Sequence, residues 1–500
     1  MSGDVGLKGQ TGIWVVSPLT GRLRQLRVDA RGAAVSPDNA RLAFISGNLT
    51  EIWVMEADGR EPRRVVTAEE QATFTRVEWS PGGRRLAYLK QRPTADEVAI
   101  ESCDLAGGRP TVILAHRRLR AFCWAPDGRI LYALAEPPPN ETSTNLWEVR
   151  ADPRTGKLDG RPRRLTNWAG YAFTYLTVSA DGRRLAFVRK HSQSDVFVGA
   201  LERGGSRLST PWRLTVDDRI DWPGGWSRDS KAVLFYSDRN GQFDVFKQDV
   251  KARTAEAVAA GGEEKRTPQL SPDGSWILYL AWPSTPAGVS PRAGQLLRLP
   301  VAGGPFGKVL DVQGYPGSAR LTVEPTRLTA RGHPDFRCPS LAGAACTLSE
   351  ASQNQIVFSA FDPLEGRKRE LARIPLEAPP SMTFWDLSPD GSRIVYGEAQ
   401  DPAGRLGVLT VAEGTTRELS VKGWGQFDSA AWSADGKALF VTSYSSAGSS
   451  LLRVTLEGEA QLLYKANWWM ERPLPSPDGR YLAFAAVKIE SNAWMIDNLR

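Results

Sequence analysis

Residues 385–398 read WDLSPDGSRIVYGE, in which a tight turn separates two short apolar segments. Pro389 presets its backbone φ for the first turn position, Asp390 accepts hydrogen bonds from nearby amides, and Gly391 takes the strained exit position. A turn of this kind joins two antiparallel strands. The stretch therefore predicts a β-hairpin whose second strand includes Ile394 to Tyr396.

The same turn motif recurs along the whole chain. Nine copies, some with one or two turn residues replaced, begin at Ser36, Ser80, Ala125, Ser179, Ser227, Ser271, Ser388, Ser433 and Ser476. Successive copies lie about 45 residues apart, except across the long gap between Ser271 and Ser388. That gap predicts one disguised unit, with its first strand in GHPDFRCPS (332–340) and its second in NQIVFSAFD (354–362).

Each unit carries further strand signals. A polar loop after the second strand leads to a third strand, such as EIWVME at 51–56. A fourth strand often ends in Leu-Thr, as in RPRRLT at 161–166 and PWRLT at 211–215. Four short strands in each repeat are typical of a β-propeller blade, and no helix-period segment competes with them. The sequence thus predicts an all-β fold, a β-propeller of four-stranded blades with about ten repeat units.

The units resemble TolB-type propeller repeats, whose hallmark is a Trp-Ser-Pro-Asp-Gly turn followed by a Leu-Ala-Phe strand. SDRNGQFDVF (237–246) matches the inter-strand loop of that family. The segments CPSLAGAACTLSE (338–350), IVFSAFDPLEGRKRELARI (356–374) and SNAWMIDNL (491–499) are similar to the C-terminal propeller region of acidobacterial Ser/Thr kinases and winged-helix regulators. The sequence has no Gly-rich nucleotide loop and no His-Arg-Asp catalytic loop, so kinase activity is not implied.

Two organisations account for ten units. We favour a seven-bladed propeller formed by 161–500, with 1–160 as part of an incomplete first propeller. RPRRLT (161–166) would then complete the last blade beside Trp494. The alternative is a single ten-bladed ring, sealed by RLRQLRV at 22–28. Since the chain opens almost directly on a strand-like segment, we expect additional sequence upstream.

The composition limits which binding partners and which cellular location we expect for the chain. The 63 basic and 56 acidic residues are nearly balanced and form no long basic run, which argues against nucleic-acid binding. No apolar stretch of about 20 residues exists, so we expect no membrane insertion by this chain. The first residues lack the pattern of a secretory signal. The location would be periplasmic in a membrane-anchored parent protein and cytoplasmic otherwise.

The segments that join one blade to the next are rich in aromatic and charged residues. Because such segments lead into the innermost strands, they should rim the central funnel, where rigid aromatic and arginine side chains make good recognition anchors. The alternative is that they pack between blades. The predicted rim, which would bind a protein or a small molecule, consists of Trp168, Tyr171, Asp218, Arg219, Arg266, Trp424, Trp469 and Arg472.

The sequence favours binding over catalysis. His116, His191 and His333 are dispersed without metal-ligand spacing, and no Gly-x-Ser-x-Gly motif is present. We therefore expect no catalytic residue, no metal and no cofactor. Because the propeller of the similar kinases and winged-helix regulators sits beyond a kinase or DNA-binding part, the resemblance implies a non-catalytic sensor or binding module of a larger bacterial signalling protein. The alternative is a hydrolase or lyase with its site in the funnel. Ionisable funnel residues with strongly perturbed pKa values would favour that alternative.

Cys338 and Cys346 fall where the disguised unit should carry its turn. Cysteines that flank a hairpin loop lie within bridging distance, which favours a structural disulfide. Two unbonded thiols remain open as an alternative, as does a metal or redox pair, although zinc would want two more ligands nearby.

Overall fold

A computed structural model describes residues 2–4, 11–70, 72–92, 97–137, 143–283, 293–314, 334–352, 355–376, 383–399, 401, 403–445 and 447–499. These residues form antiparallel β-sheets almost throughout, and the single helical turn among them is the 3₁₀ segment Arg203–Gly205. In this part of the chain no helix is long and apolar enough to cross a membrane. The fold is an all-β propeller fold, as the sequence predicts.

The first fifteen strands make four sheets in chain order. The first sheet has three strands, β1 (Ser2–Asp4), β2 (Thr11–Val16) and β3 (Leu23–Val28). The second is β4 (Ala30–Val35), β5 (Arg41–Ser46), β6 (Glu51–Glu56) and β7 (Arg63–Thr67). The third is β8 (Thr73–Trp79), β9 (Arg85–Arg92), β10 (Glu97–Asp104) and β11 (Thr111–Ala115). The fourth is β12 (Leu119–Trp124), β13 (Arg129–Ala135), β14 (Thr144–Ala151) and β15 (Leu158–Arg164).

The next strands are β16 (Ala172–Val178), β17 (Leu185–Glu202), β18 (Arg207–Leu208) and β19 (Trp212–Arg213). Two four-stranded sheets follow: β20 (Asp221–Trp226), β21 (Ala232–Ser237), β22 (Asp244–Asp249) and β23 (Glu256–Ala259), then β24 (Glu264–Leu270), β25 (Trp276–Trp282), β26 (Ala293–Pro300) and β27 (Gly307–Gln313).

Three more four-stranded sheets and two last strands complete the chain. The sheets are β28 (Asp335–Arg337), β29 (Cys346–Ser352), β30 (Gln355–Asp362), β31 (Gly366–Pro375); β32 (Thr383–Leu387), β33 (Arg393–Glu398), β34 (Arg405–Thr410), β35 (Thr415–Ser420); and β36 (Phe427–Trp432), β37 (Ala438–Ser445), β38 (Gly448–Thr455), β39 (Ala460–Ala466). The last strands are β40 (Trp469–Pro475) and β41 (Tyr481–Ile496).

The Ser-Pro-Asp-Gly turn has the chemistry that its sequence predicts. The Ser388 hydroxyl donates to Asp390 Oδ1 over 2.5 Å, and Asp390 Oδ1 accepts the Ser392 amide over 3.1 Å. Gly391 has a φ of 75°, a conformation that other residues adopt at a cost. The turn joins β32 to β33, which confirms the predicted hairpin.

Two of the tryptophans that precede these turns tie one sheet to the next. The indole N–H of Trp226 donates to the Leu474 carbonyl over 2.9 Å, and that of Trp79 donates to the Ala34 carbonyl over 3.0 Å. Both rings are nearly buried, so each tryptophan fills the space between neighbouring sheets and satisfies its polar atom there.

One six-stranded sheet contradicts both predicted closures. β17 and β41 pair continuously, from Leu185 opposite Ile496 to Ala200 opposite Tyr481. Trp494 therefore lies beside Phe187. Residues 158–164 pair instead with β14, and 23–28 pair with β2, so both closures are wrong.

The physical reason lies in two missing loops. The sequence predicts a loop at RKHSQSD (189–195), between a second and a third strand, but these residues continue as strand. Neither this stretch nor VKIES (487–491) contains Gly or Pro to break a strand. Each hairpin opens into one long strand, and the two long strands pair with each other. The units that begin at Ser179 and Ser476 consequently share a sheet.

The disguised unit also differs from its predicted layout. The first strand, β28, lies within the predicted segment, but residues 355–362 form the third strand instead of the second. The second strand is β29, which begins at Cys346. The connection between β28 and β29 is longer than the Ser-Pro-Asp-Gly turns and lacks their sequence, which hides it from a search for that motif. The number of blades and the division at residue 160/161 stay predictions.

A closed succession of sheets positions the candidate site. β20 contacts β17, β40 and β41, and β24 contacts β20 and β28. Phe358 of β30 packs edge-on against Trp385 of β32 at 5.0 Å between ring centroids. β36 contacts both β32 and β40, so the succession returns to its start. We call the space enclosed by the inner strands β20, β24, β28, β32, β36 and β40 the funnel.

Candidate functional site

The funnel contains a cavity of about 660 Å³, counting its open mouth. Its wall comes from five inner strands that are far apart in sequence: β20, β28, β32, β36 and β40. The ionisable residues that line it are Asp335, Arg337, Asp386, Asp428, Glu471 and Arg472. Such a concave site with convergent polar groups is where a ligand is expected in a propeller.

Arg337 is the centre of an ion-pair network in this wall. It pairs with Asp335 of its own strand at 2.9 Å and with Asp386 of the neighbouring inner strand at 3.1 Å. The second carboxylate oxygen of Asp386 accepts the Trp432 amide at 2.9 Å. The network therefore links three consecutive inner strands, β28, β32 and β36.

Burial dominates the titration of this network. It raises the pKa of Asp386 to about 6, and the pairing with Arg337 offsets only part of that effect. Burial alone would lower the pKa of Arg337, but Asp335 and Asp386 outweigh it and hold that pKa above its ordinary value. Arg337 is thus charged at every physiological pH, whereas Asp386 changes charge in the mildly acidic range.

Trp469 lies at the edge of the funnel and holds a second acid. Its indole N–H donates to Asp428 Oδ2 over 2.7 Å. Its ring stacks on Tyr444, with 4.4 Å between centroids. Asp428 itself is only 1% exposed. The pair therefore provides a rigid aromatic face immediately beside a buried carboxylate.

Two further arginines lie close together across the funnel. The guanidinium of Arg472 lies 5.8 Å from the ring centroid of Tyr236, and that of Arg266 lies 4.9 Å from that of Phe243. Arg266 also pairs with Glu264 at 3.1 Å. Burial raises the pKa of Tyr236, and both arginines act on its hydroxyl in the opposite direction. Arg266 and Arg472 therefore both lie near Tyr236, and of the two only Arg472 lines the cavity.

β-Bulges aim these side chains. The strand register shifts between Arg266 and Gln269 in β24, and between Glu471 and Leu474 in β40. Within each bulge one residue has a positive φ, 51° at Thr267 and 52° at Arg472. A bulge re-aims a side chain at a strand interior, and bulges are common beside binding sites. Nothing in the repeat motif signals them.

Of the predicted rim, Arg472 lines the cavity, whereas Arg266 and Trp469 lie on the inner strands β24 and β40 but outside the cavity wall. Asp218 and Arg219 lie apart from the cavity wall, in the link between β19 and β20, and Asp218 is exposed. Trp424 is half-buried against the core shared by β32–β39. Whether these residues bind a ligand or a partner stays a prediction.

Trp168 and Tyr171 belong to a different region of the molecule. Trp168 packs edge-on against Phe173 at 5.4 Å, and its amide donates to Asn145 Oδ1 over 2.7 Å. Tyr171 receives the guanidinium of Arg189 on its ring at 4.2 Å. Both residues therefore join β14 to β16, which is the packing alternative that the sequence left open.

The sequence did not indicate a second cluster of charges behind β20. Arg239 bridges Asp217 and Asp221, each at 3.0 Å, and Arg213 pairs with Asp195 at 2.7 Å. Burial raises the pKa of Asp221, and it raises that of Asp195 to about 6. The signal for this cluster was the acidic run DDRID at 217–221, which sequence reasoning treated as part of the rim.

A disulfide joins Cys338 to Cys346 next to the network. β28 spans only three residues and carries both Asp335 and Arg337. Gln269 of β24 holds its other side, because the Gln269 amide donates to the Phe336 carbonyl over 2.9 Å and its oxygen accepts the Cys338 amide over 3.1 Å. The covalent clip and this amide together fix the shortest inner strand of the funnel.

No group of three or more His, Cys, Asp or Glu side chains in the described part of the chain is arranged to hold a metal ion. In the loop at 237–246, nitrogen groups contact the oxygens of Asp244. Asp244 accepts the Asn240 amide at 3.1 Å and pairs with Lys265 at 3.2 Å, so nitrogen donors occupy its oxygens. The loop orders the entry to β22.

Comparisons with known proteins add little to this geometry. No protein-family model matches the chain. An uncharacterized protein of Agrobacterium fabrum (strain C58) is 26% identical over 156 residues, 31% of this chain and 48% of that protein. The chain thus spans about half the length of this curated relative.

The solved structures to which the chain is similar include TolB of Acinetobacter baumannii and a putative TolB of Agrobacterium tumefaciens. Both are 17% identical; they cover 68% and 62% of this chain, and 64% and 92% of their own chains. An oligogalacturonate lyase in complex with manganese is 14% identical, covers 68% of this chain and 79% of its own, and has a TM-score of 0.30. The TolB TM-scores are 0.22 and 0.25, so the fold assignment rests on the strand pairing described above.

Proposed function

We propose that the chain is a non-catalytic binding module that takes a ligand or a partner segment at the mouth of the funnel, as part of a larger signalling protein. The observation that carries this proposal is the mutual pairing of the funnel charges. Arg337 is engaged by Asp335 and Asp386, and Arg266 by Glu264. Groups that compensate one another in this way form a rigid polar surface for recognition.

The same surface combines two types of polar contact. Asp428 and Arg472 line the cavity as an acceptor and a cation, and the Trp469 indole N–H holds Asp428 from behind while its ring stacks on Tyr444. This mixture suits a small polar ligand or a polar side chain of a partner.

The test is a ligand screen in which stabilisation of the intact protein is the readout. Soluble sugars, amino acids and short peptides are added one by one, and the shift in melting temperature is measured. Each hit is then titrated against Arg472→Ala, which alters a wall residue, against Trp469→Ala, which releases the wall residue Asp428, and against the control Asp218→Ala, whose exposed side chain lies in the link between β19 and β20. The proposal predicts that the first two variants lose at least tenfold in affinity, about 1.4 kcal/mol, and that the control does not. Equal affinity for all variants would place binding elsewhere.

One observation favours a hydrolase or lyase as the second candidate. The pKa of Asp386, about 6, is the kind of perturbation expected of a catalytic acid. Against this, Arg337 and the Trp432 amide engage both of its oxygens. Mass spectrometry tests whether a screen hit is chemically converted. If it is, and if Asp386→Asn abolishes conversion while keeping binding, a hydrolase or lyase function replaces the non-catalytic binding function.

A further inference from the structure

Three strand segments, each the third strand of a repeat unit, share a sequence pattern and a pairing pattern. TNLW (144–147) in β14, SDVF (194–197) in β17 and SNAW (491–494) in β41 correspond in sequence. They also correspond in pairing, because the final aromatic residue of each lies opposite an aromatic of the second strand. These pairs are Trp147–Tyr132, Phe197–Phe484 and Trp494–Phe187.

In the first two strands an Arg-Leu-Thr segment covers the outer edge. Residues 164–166 cover β14: the Leu165 amide donates to the Leu146 carbonyl over 2.8 Å, and the Leu146 amide donates to Thr166 Oγ1 over 2.9 Å. Arg164 lies opposite Trp147, with its guanidinium 5.8 Å from that ring centroid. Arg164, Leu165 and Thr166 thus each contact β14, through a side chain or a backbone amide.

Residues 213–215 repeat this arrangement on β17. The Leu214 amide donates to the Val196 carbonyl over 2.7 Å, and the Val196 amide donates to Thr215 Oγ1 over 3.0 Å. Arg213 lies opposite Phe197. Both copies are therefore bound by the same backbone bonds, in the same register.

The residues that follow each Thr make a second contact. The fifth residue after Thr166 is Tyr171, whose carbonyl accepts the Thr144 amide over 2.7 Å. The fifth residue after Thr215 is Ile220, which bridges to Ser194. A covering segment thus carries Arg-Leu-Thr and, five residues later, the start of an inner strand.

The third copy lacks this cover in the part of the chain that the structure describes. β40 pairs with β41 only as far as Val487, and no described strand pairs with the outer edge of 488–496. Leu146 and Val196 are fully buried, whereas residues 490–495 are all exposed, with Trp494 at 41% and Met495 at 54%. An exposed strand edge presents unpaired backbone groups and acts as a template for another strand.

We propose that the outer edge of residues 491–495 is a docking site for an extended Arg-Leu-Thr segment that is followed by an inner-strand start. Its Leu amide would bind the Ala493 carbonyl, its Thr hydroxyl would accept the Ala493 amide, and its Arg would lie against Trp494. The internal copies at 164–166 and 213–215 define this occupant. Recognition is β-strand addition, in which backbone bonds supply affinity and side chains supply register.

The probe is a fluorescein-labelled peptide of residues 161–173, RPRRLTNWAGYAF, titrated with the intact protein and followed by fluorescence anisotropy. Ala493→Pro removes the outward amide of the edge, and Ala493→Val is the matched control that keeps it. We expect the peptide to bind the parent and the Val variant, and at least tenfold weaker binding to the Pro variant. A peptide with Thr166→Val, which lacks the acceptor, should bind about five- to tenfold weaker.

A second measurement keeps the proposal testable if the Pro variant fails to fold. Hydrogen exchange of the parent, with and without the peptide, should show new protection at 491–495. Binding of the peptide without protection there, or equal binding of the Thr166→Val peptide, would overturn the proposal. So would a dimer of the parent that excludes the peptide and dissociates in the Pro variant, because the occupant would then be a second copy of the chain.

Discussion

The two halves of β41 have the same partner strand and opposite surroundings. Residues 481–487 lie between β17 and β40, and Phe484 is fully buried. Residues 490–495 pair with β17 on one side only and are exposed. This contrast between the two halves shows that the burial of a propeller strand depends on the strand and the sheet that pack beside it. The repeat sequence alone does not supply it.

The largest expected effect is on the covered half. Phe484→Ala removes a ring that packs against Phe197 at 6.0 Å and Trp468 at 6.3 Å between centroids. Because the site is closed on all sides, the cavity would persist, and we expect a loss of about 3–5 kcal/mol in the free energy of unfolding. Urea denaturation measures it. A loss below about 1 kcal/mol would show that this half is not packed as described.

The clip on β28 should have the next largest effect within the covered part of the molecule. Replacing both Cys338 and Cys346 by Ser releases a short loop whose closure is worth about 2–3 kcal/mol. Urea denaturation of the double variant and the parent, both without reductant, gives the difference. Addition of a reductant should lower the stability of the parent and leave that of the variant unchanged. Equal stability of the two proteins without reductant would contradict the clip.

Asp386, a carboxyl of the funnel wall, should lower the stability of the protein as the pH rises, which the exposed carboxyl within residues 490–495 should not do. The pKa of Asp386 is about 6 in the folded protein, above its ordinary value of 3.8, so the folded state binds this proton more tightly than the unfolded state. The resulting stabilisation is complete below about pH 4 and is lost as the pH rises through 6. Relative to Asp386→Asn, the free energy of unfolding of the parent should fall by about 2 kcal/mol between about pH 4 and 7.

Glu490 is the matched comparison in the exposed half. Lys488 pairs with it at 2.8 Å and lowers its pKa. The contribution of Glu490 to stability should therefore rise slightly as the pH rises through its ordinary pKa of 4.5 and stay constant above about pH 6, a slope opposite in sign to that of Asp386. A slope for Glu490→Gln like that for Asp386→Asn would contradict the assignment of the pH dependence to burial.

The smallest effect is expected at the open edge. Trp494→Ala removes a ring that remains 41% exposed and contacts the guanidinium of Arg189 at 3.7 Å. We expect a loss of about 1 kcal/mol in the free energy of unfolding, well below that of Phe484→Ala. A loss as large as that of Phe484→Ala would indicate that the outer edge is covered in solution.

The repeat motif carried most of the fold. The Ser-Pro-Asp-Gly turn fixes a hairpin through bonds between adjacent residues, as Ser388 and Asp390 show, so it is readable without tertiary context. The pairing of β17 with β41 was not readable, because it joins residues about 300 positions apart and is signalled only by the absence of strand breakers.

The candidate site was predicted in part for the same reason. Arg266, Trp469 and Arg472 lie on inner strands because their segments lead into those strands, and their role as a binding rim stays a prediction. Asp335, Arg337 and Asp386 were missed as a network, since their pairing depends on the side-by-side position of β28 and β32. The register shifts at Arg266 and Arg472 recur in other inner strands, such as β20 and β36, and were not anticipated from the repeat motif.

Hydrogen exchange at single-residue resolution over residues 481–496 tests most directly the claim that one strand is closed along one half and open along the other. The account predicts slow exchange of the amides at 482–487. Over 490–495 it predicts alternation, with the outward amide of Ala493 exchanging quickly and those bonded to β17 slowly. Uniform slow exchange across the whole strand would contradict it, because a covering strand would then already be in place.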